Sequence, residues 1–244
     1  MRKQRGKQRR PAKVGVYGVE GVGKTTLISQ CPRVLFLDTE DGCCHYDVDA
    51  WGIDTWADMR TAFRELRNAK DREYDTIAID SIDRAEALLE ANMCREEGRK
   101  SIEDWGYGKG YKVLADKFGT FLDGATALMR KGYNIVLIGH SQVKRHNDPA
   151  IATDYDRYEI KLSKQCAPLL KEWCDALLFL NFDTAVKVAQ DDKPRGIGGK
   201  DRKIYASRAA AYDAKNRYGL PDEMACEYAS ISRMFEITET QTNN

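Results

Sequence analysis

The 244-residue chain lacks the features that mark several large classes of protein. No apolar run approaches the ~20 residues that span a bilayer, and the first residues contain no apolar core of the kind that a secretory signal peptide needs. The formal net charge is +1, so the chain as a whole lacks the composition of a polyanion-binding protein. No internal repeat is visible. The length suits one large domain, with or without appendages, and we expect no membrane partner.

The seven cysteines show no recognisable framework either. Their number is odd and no spacing suggests a set of disulfides, which favours a reducing cytoplasm. Cys43-Cys44-His45 contains metal-binding residue types, but no second C-x-x-C or H-x-x-H pair completes a tetrahedral zinc site. We therefore expect free cysteines and no zinc centre.

Acidic residues are absent from the first 13 positions, which carry Arg2, Lys3, Arg5, Lys7, Arg9, Arg10 and Lys13. This composition predicts a basic arm over residues 1–12 that is disordered when free. The arm could lie on nucleic acid, or it could be a solubilising tail or foreign to the natural protein. Residues 13–236 form the predicted domain, and residues 237–244 a polar tail that we expect to be frayed.

One glycine-rich segment carries a specific pattern, G-x-x-x-x-G-K-T. It reads Gly18-Val19-Glu20-Gly21-Val22-Gly23-Lys24-Thr25 and matches the phosphate-binding loop, or Walker A motif, of nucleoside triphosphatases. An apolar run precedes it and residues that can open a helix follow, which is the strand–loop–helix setting that the motif requires. A plain glycine turn is the alternative.

The chemistry of this loop assigns a role to each part of it. Glycines let backbone N–H groups surround phosphate oxygens without a Cβ clash, and the helix N-terminus adds partial positive charge. We expect residues 18–26, ending at Thr26, to bind the nucleotide. Lys24 would reach the β- and γ-phosphates, and the Thr25 hydroxyl would be a ligand of Mg²⁺.

Further apolar runs predict the architecture around the loop. Runs at 34–37, 75–79 and 135–138 alternate with helical periodicity at 56–66, 82–93 and 114–129. Continuous apolar strands that alternate with helices are typical of a parallel sheet covered on both faces. We therefore expect an α/β fold with a mostly parallel twisted sheet and loops at 95–110 and 143–158. Residues 186–188 and 204–206 could pair as a C-terminal antiparallel hairpin around a glycine-rich loop at 193–200.

Acidic residues end or follow two of the predicted strands. Asp80 ends one strand, where an acid is expected to hold Mg²⁺ through water; alternatively it caps the next helix, as Ser81 could also do. Glu40 follows another strand, and strand C-terminal ends form the ligand crevice of an open parallel sheet. Its carboxylate could accept a proton from an attacking water. Glu20 and Asp38 compete for that role, and a solvated acid in a turn is the alternative.

Four other side chains are candidates for contacts with the phosphates. His140 ends a strand and could hydrogen-bond the γ-phosphate, or couple loss of the γ-phosphate to the following loop. The alternative is a buried histidine with satisfied hydrogen bonds. Gln142 is a weaker candidate for the same role. Lys215 and Arg217 are two residues apart, so in an extended segment they would project on the same side. Such cations could stabilise a transferring phosphoryl group, most usefully on a neighbouring subunit. They could instead form a solvated basic turn.

With these segments identified, the chain resembles the RecA-type ATPases over about residues 13–222. It is especially similar to the compact phage single-strand annealing and recombination proteins of the Sak-four group. Residues 35–40 resemble the strand that ends in the catalytic glutamate of the RecA family, and residues 79–81 its Mg²⁺ strand. Residues 138–140 are similar to the Gly-His of the RadA sensor strand. Lys-Asn-Arg-Tyr-Gly at 215–219 is similar to the K-N-R-F-G motif of RadA, whose cations reach the ATP of a neighbouring subunit.

The resemblance implies a RecA-like ATPase domain at 13–236 with ATP and Mg²⁺ as cofactors. It also implies a ring or filament with nucleotide between subunits, single-stranded DNA as the partner, and a single-strand-binding protein as a further partner. The loop near 95–110 and the loop after His140 should face DNA; the second holds Lys144, Arg145, His146, Tyr155, Arg157 and Tyr158. Cations for phosphates and aromatics for base stacking suit binding without sequence preference, although a charged loop can also be merely solvated.

The chain also departs from these relatives in ways that limit the expected activity. It lacks a recognisable N-terminal oligomerisation helix and C-terminal DNA-binding domain of RecA, and the zinc finger and protease-like domain of RadA. The resemblance therefore implies a DNA-dependent ATPase that anneals strands in recombination, in the cytoplasm of a bacterial host if the chain is phage-encoded. A helicase or loader motor and a non-catalytic nucleotide switch that binds a protein are the alternatives. A small-molecule phosphotransferase is less favoured, because no lid-like arginine cluster is present.

Overall fold

The computed structural model describes residues 10–147, 153–188 and 194–236, without the side chains of residues 184–198. The strands are β1 (Lys13–Gly18), β2 (Val34–Asp38), β3 (Asp49–Gly52), β4 (Thr76–Asp80), β5 (Asn134–His146), β6 (Tyr155–Ile160), β7 (Ala176–Val188), β8 (Pro194–Tyr205), β9 (Lys215–Asn216) and β10 (Glu223–Ala225). The α-helices are α1 (Lys24–Ile28), α2 (Trp56–Asn68), α3 (Ile82–Glu96), α4 (Lys109–Arg130), α5 (Cys166–Trp173) and α6 (Tyr228–Ile231). Short 3₁₀ turns lie at Cys43–His45, Ile102–Trp105 and Ser232–Met234.

The strands form a single mixed sheet in the order β10-β8-β7-β1-β5-β4-β2-β3, with β6 paired to β5 and β9 paired to β7. The five pairs from β7 through β1, β5, β4 and β2 to β3 are all parallel. Among the described strands, the antiparallel pairs are β7–β8, β8–β10, β7–β9 and β5–β6. The predicted α/β P-loop fold, with its mostly parallel sheet and C-terminal hairpin, is confirmed.

Two hydrophobic layers cover the sheet. Alternate residues of each strand point to opposite faces. Leu35, Leu37 and Ile77 face a layer built with α2, α3, α4 and α5, whereas Val14 and Phe36 face a layer built with α1 and α6. Each of these side chains is buried almost completely, and burial of one such side chain stabilises the fold by about 1.5–3 kcal/mol. The central strands are therefore apolar on both faces, as their unbroken apolar runs predict.

Local signals set the helix ends. Thr55 caps α2 in a capping box with Asp58, which satisfies two backbone donors at the start of the helix. Gly132 follows α4 with φ 107°, a left-handed conformation that favours glycine and ends the helix. The predicted boundaries at these two positions are confirmed.

The hairpin pairs in a different register from the predicted one. Val186 lies opposite Gly196, and Ile204 lies opposite Leu180, so residues 186–188 and 204–206 do not pair with each other. The glycine-rich segment predicted as a loop lies in β8 from Pro194 onward. Backbone hydrogen bonds to β7 supply the pairing there, which a reading of side-chain packing does not detect. The predicted loop after Gln142 is also partly strand, since β5 extends to His146 and pairs with β6.

The described residues begin at Arg10 and end at Glu236, so they include only part of the two predicted ends of the chain. Arg10, near the end of the expected basic arm, donates two hydrogen bonds to the Asp175 carboxylate at 2.9 and 3.0 Å. Ala12 is fully buried, and its N–H donates to Asn134 Oδ1 at 2.8 Å. The rest of the arm and the polar tail at 237–244 lie outside the described residues. Across the described ranges, no helix combines the length and apolar character needed to cross a membrane.

Candidate nucleotide-binding site

The phosphate-binding motif forms the turn between β1 and α1, and its glycines are required by the backbone. Gly21 and Gly23 have φ values of 71° and 92°, which residues with a Cβ rarely adopt. A Cβ on Gly18 would lie 2.2 Å from the Leu180 carbonyl oxygen of β7. The loop is therefore a closely fitted turn at the C-terminal end of a central strand, open beside Gly21, where a Cβ would meet no atom within 4 Å.

The Lys24 side chain lies on the inner side of this loop. Its Nζ donates to the carbonyl oxygens of Gly18 at 3.0 Å and Val19 at 3.1 Å, and the side chain is buried. Burial lowers the pKa of the ammonium below its ordinary value, while the nearby Asp80 carboxylate acts in the opposite direction. A buried ammonium held among backbone groups is suited to a phosphate oxygen, which would supply the missing countercharge.

Thr25 and Asp80 form the part of the site that fits a divalent cation. The Thr25 hydroxyl donates to Asp80 Oδ2 at 2.6 Å. Burial raises the pKa of the Asp80 carboxyl, the Thr25 hydrogen bond lowers it, and the like charges of Glu40 and Asp38 raise it further. A hydroxyl and a carboxylate are ligands that Mg²⁺ prefers, and a cation would offset the crowding of carboxylates. The residues present therefore fit Mg²⁺.

The alternative role of Asp80 as a helix cap belongs instead to its neighbour. Ser81 is the N-cap of α3, and its hydroxyl accepts the backbone N–H of Arg84. Since Ser81 satisfies that donor, the Asp80 carboxylate is left for the loop and for a cation.

Glu40 lies across the site from the loop. Its side chain is 39% exposed, and its Oε1 accepts the Ser81 hydroxyl at 2.5 Å. A cleft of about 410 Å³ opens beside it, lined also by Asp83, Gln142 and Lys161. A partly exposed carboxylate that a hydroxyl orients toward an open cleft can accept a proton from a bound water.

The competing acids are less suited to that role. Burial would raise the pKa of the Asp38 carboxyl, but backbone hydrogen bonds from Cys43, Glu40 and Gly42 outweigh it and hold the pKa below its ordinary value. Through these hydrogen bonds, at 2.8, 3.0 and 3.3 Å, the Asp38 carboxylate stabilises the turn after β2. Glu20 is exposed on the loop.

His140 is held at the site by Asp83, a residue that the sequence did not suggest. Its Nδ1 lies 3.0 Å from Asp83 Oδ2, and its backbone N–H donates to Asp83 Oδ1 at 3.1 Å. The hydrogen bond to Asp83 raises the pKa of the His140 imidazole, against the smaller opposing effect of burial. Nδ1 is 4.0 Å from Glu40 Oε1. The histidine therefore has a satisfied partner in Asp83 and also lies close to Glu40.

Strand register explains why residues so distant in sequence converge. Gly18 lies opposite His140, Asp80 lies opposite Ile138, and Asp38 lies opposite Asp80. Parallel strands end at the same edge of the sheet, so the loop, the two acids and the histidine meet there.

Comparisons with known proteins identify the family of the chain. A model of the AAA domain matches residues 10–218. The chain belongs to the AAA domain family. Among solved structures, the crystal structure of the RadB recombinase is similar to this AAA domain, with a TM-score of 0.48 and 18% sequence identity over 87% of this chain and 84% of that chain. None of the curated proteins compared with the chain matches it.

Lys215 and Arg217 of this AAA domain lie at the other end of the sheet. Lys215 Nζ donates to the carbonyl oxygens of Lys171 and Glu172 at 2.9 and 3.1 Å, and Arg217 pairs with Asp175 at 3.1 Å. The backbone of Asp175 bonds to Lys13 at the start of β1. The length of β1, roughly 17 Å at ~3.3 Å per residue, thus separates these cations from the loop of their own chain. A role on a neighbouring subunit stays a prediction.

The expected DNA-binding residues divide into two groups. The prediction for Arg157 is wrong: its side chain is 3% exposed, forms an ion pair with Asp213 and donates to the Tyr212 carbonyl oxygen at 3.1 Å. Tyr158 packs against Phe179 with 5.2 Å between ring centroids. Arg157 is therefore buried, and Tyr158, the next residue of β6, is half-buried against the domain core.

The other group lies on the outer part of the β5–β6 hairpin. Lys144 is partly exposed, Arg145 is 66% exposed, and the rings of His146 and Tyr155 contact each other. Arg145 lies 3.7 Å from an Asp154 oxygen and 3.9 Å from an Asp156 oxygen, so acids of the same hairpin partly neutralise it. Binding of DNA by these residues stays a prediction.

The structure adds Arg202 of β8 to the site. Its Nη1 lies 3.4 Å from the carbonyl oxygen of Val22 in the loop. No sequence motif contains Arg202, and only the β7–β8 hairpin brings it back to the loop across 180 residues. The sequence did not point to Asp83 either, although its position in the first turn of α3, three residues after Asp80, was an available signal.

Proposed function

We propose that this AAA domain is a Mg²⁺-dependent ATPase of the RecA type that binds single-stranded DNA and anneals strands in recombination. The observation that carries the proposal is the convergence of Lys24, the Thr25–Asp80 pair and Glu40 at one edge of the sheet. A phosphate cradle, a cation site and an oriented general base are the three parts that hydrolysis of a nucleoside triphosphate needs.

In the proposed reaction, backbone N–H groups of residues 18–26 and the Lys24 ammonium bind the phosphate chain. Mg²⁺, held by Thr25 and Asp80, would supply positive charge to the phosphate oxygens. Glu40 accepts a proton from the attacking water, and Ser81 keeps the carboxylate oriented through its hydroxyl. Asp83 holds His140 beside Glu40, where the imidazole can donate a hydrogen bond to the γ-phosphate.

The path from nucleotide to DNA runs along one strand. β5 passes from the sheet through His140 and continues as the hairpin with β6. A change in the hydrogen bonds of His140 on loss of the γ-phosphate would therefore act on the base of the hairpin that carries Lys144, Arg145 and Tyr155. This continuity supports coupling between hydrolysis and release of a single strand.

Contacts between subunits complete the proposal. Lys215 and Arg217 lie too far from their own loop to act on its nucleotide, so a catalytic role for them needs a ring or filament in which they reach the nucleotide of the next subunit. We expect Arg217→Ala to abolish turnover and to leave ATP binding by the isolated chain unchanged. Turnover at the wild-type rate would refute the role between subunits.

One observation favours a second candidate, a non-catalytic nucleotide switch with a protein partner. Arg145 lies near two carboxylates of its own hairpin, and Arg157 is buried, so fewer cations face outward than the sequence suggests. Such a switch would bind ATP with negligible turnover in the presence or absence of DNA.

The deciding experiment measures ATP hydrolysis with and without single-stranded DNA, and annealing of complementary labelled strands in the same samples. DNA should raise the hydrolysis rate of the wild type, and Lys24→Ala should weaken ATP binding and lose turnover. Glu40→Gln should retain ATP binding and lose turnover by roughly 100-fold or more. Glu20→Gln, which changes an exposed acid on the loop, is the matched control. Negligible wild-type turnover with DNA would instead support the switch.

A further inference from the structure

Arg202 rests against the phosphate loop without belonging to any motif. β8 pairs with β7, and β7 pairs with β1, the strand that leads into the loop. Besides its 3.4 Å contact with the Val22 carbonyl oxygen, Nη1 lies 2.3 Å from the place that a Cβ on Gly23 would occupy. The guanidinium thus lies beside the residue directly before Lys24, where a missing side chain leaves room for it.

The charge of Arg202 is not neutralised by its surroundings. The adjacent Lys203 pairs with Asp183 at 3.0 Å and Glu223 at 2.5 Å. Because successive residues of a strand point to opposite faces, these acids are collected on the face away from Arg202. Across the described ranges, no carboxylate pairs with Arg202, and its side chain is exposed. One long hydrogen bond leaves most of its five N–H donors available to a ligand.

We propose that Arg202 is a further cation of the phosphate cradle, supplied by the β7–β8 hairpin of the same chain, and that it binds the phosphate chain of the nucleotide. The proposal rests on the proposed function, since it needs a nucleotide in the loop. The planar guanidinium presents paired N–H groups that match two oxygens of one phosphate. Lys24 approaches the phosphates from inside the loop, and Arg202 approaches them from the hairpin side.

A purely structural role makes different predictions. If Arg202 only held the loop through the Val22 carbonyl, its loss would lower the melting temperature of the nucleotide-free protein. A phosphate contact would instead weaken nucleotide binding and leave the melting temperature of the nucleotide-free protein unchanged, because replacement of an exposed side chain costs little stability.

The test compares Arg202→Met, which keeps the apolar stem, with Arg202→Lys, which keeps the charge. The control is Arg208→Met, since Arg208 is an exposed arginine that follows the same strand. Dissociation constants for ATP with Mg²⁺ are measured by calorimetry, and melting is followed without nucleotide. We expect Arg202→Met to weaken ATP binding roughly 10- to 100-fold. Arg202→Lys should recover part of the loss, and Arg208→Met should stay within about two-fold of the wild type.

Two results would overturn the proposal. One is an Arg202→Met variant that binds ATP as tightly as the wild type. The other is weaker binding accompanied by a lower melting temperature in the absence of nucleotide, which would assign Arg202 to the structure of the loop. A wild-type protein that does not bind ATP would overturn the proposed function as well, so the two failures are distinguishable.

Discussion

Asp213 offers the sharpest test of how the β5–β6 hairpin is held. Its carboxylate pairs with Arg157, which is 3% exposed, and with Lys171, which is 27% exposed. Its backbone N–H and carbonyl both bond to the Tyr17 hydroxyl, at 3.0 and 2.7 Å, one residue before the phosphate loop. Asp213→Ala would keep the backbone contacts and leave the Arg157 charge buried without a carboxylate.

The size of the effect follows from burial. Removal of one partner of a buried ion pair costs about 3–5 kcal/mol, whereas an exposed pair contributes about 0–1 kcal/mol. Domains are stable by about 5–15 kcal/mol, so we expect Asp213→Ala to remove roughly a fifth or more of the free energy of unfolding. Arg157→Met combined with Asp213→Leu should recover part of the loss, because no unpaired charge remains.

Equilibrium unfolding in urea, followed by circular dichroism, measures these changes. Asp156→Ala is the control, because Asp156 pairs at 3.9 Å with the exposed Arg145; it should cost less than ~1 kcal/mol. The reasoning would be refuted if Asp213→Ala cost no more than the control. It would also be refuted if Arg157→Met left stability intact and reduced the salt dependence of DNA binding by about one phosphate contact.

Two further predictions concern the site itself. Gly18→Ala should destabilise the protein by about 1–3 kcal/mol in urea unfolding, because the new Cβ would lie 2.2 Å from the Leu180 carbonyl oxygen. Gly42→Ala is the control and should be tolerated, because its new Cβ would meet no atom within 4 Å. Equal losses of stability in the two variants would contradict the prediction. The pKa of His140 is raised by Asp83, so its contribution to stability should be fully present below the unfolded-state pKa of about 6.5 and should fade as pH rises through the raised folded-state pKa. The urea midpoint of the wild type should therefore decline as the pH rises above about 6.5, and that of His140→Gln should not show this decline. Identical profiles would contradict the prediction.

The parts of the fold that the sequence predicts are those whose signal is local. The unbroken apolar runs of β1, β2, β4 and β5 predict buried parallel strands, and the Thr55–Asp58 capping box marks the start of α2. The register of β7 and β8 has no such signal, because backbone hydrogen bonds pair the glycine-rich residues near Gly196 without help from side chains. β6 was missed for a related reason, since its buried Arg157 looks like a surface residue in the sequence.

The residues of the candidate site also divide into those with a local sequence signal and those without one. Lys24, Thr25, Glu40 and Asp80 lie in local motifs at strand ends, and parallel pairing brings strand ends together, so their convergence could be expected. Arg202 comes to the loop only through the hairpin, and no local pattern records that contact.

Binding of ATP to the purified chain tests the central claim most directly. Isothermal titration with and without Mg²⁺ should show a single site that tightens when the cation is present. Lys24→Ala should weaken binding by roughly 10-fold or more, since it removes a charged partner of the phosphates, and Asp80→Asn should remove the effect of Mg²⁺. ATP binding that is absent from the wild type, or that is the same in all three proteins, would contradict the account.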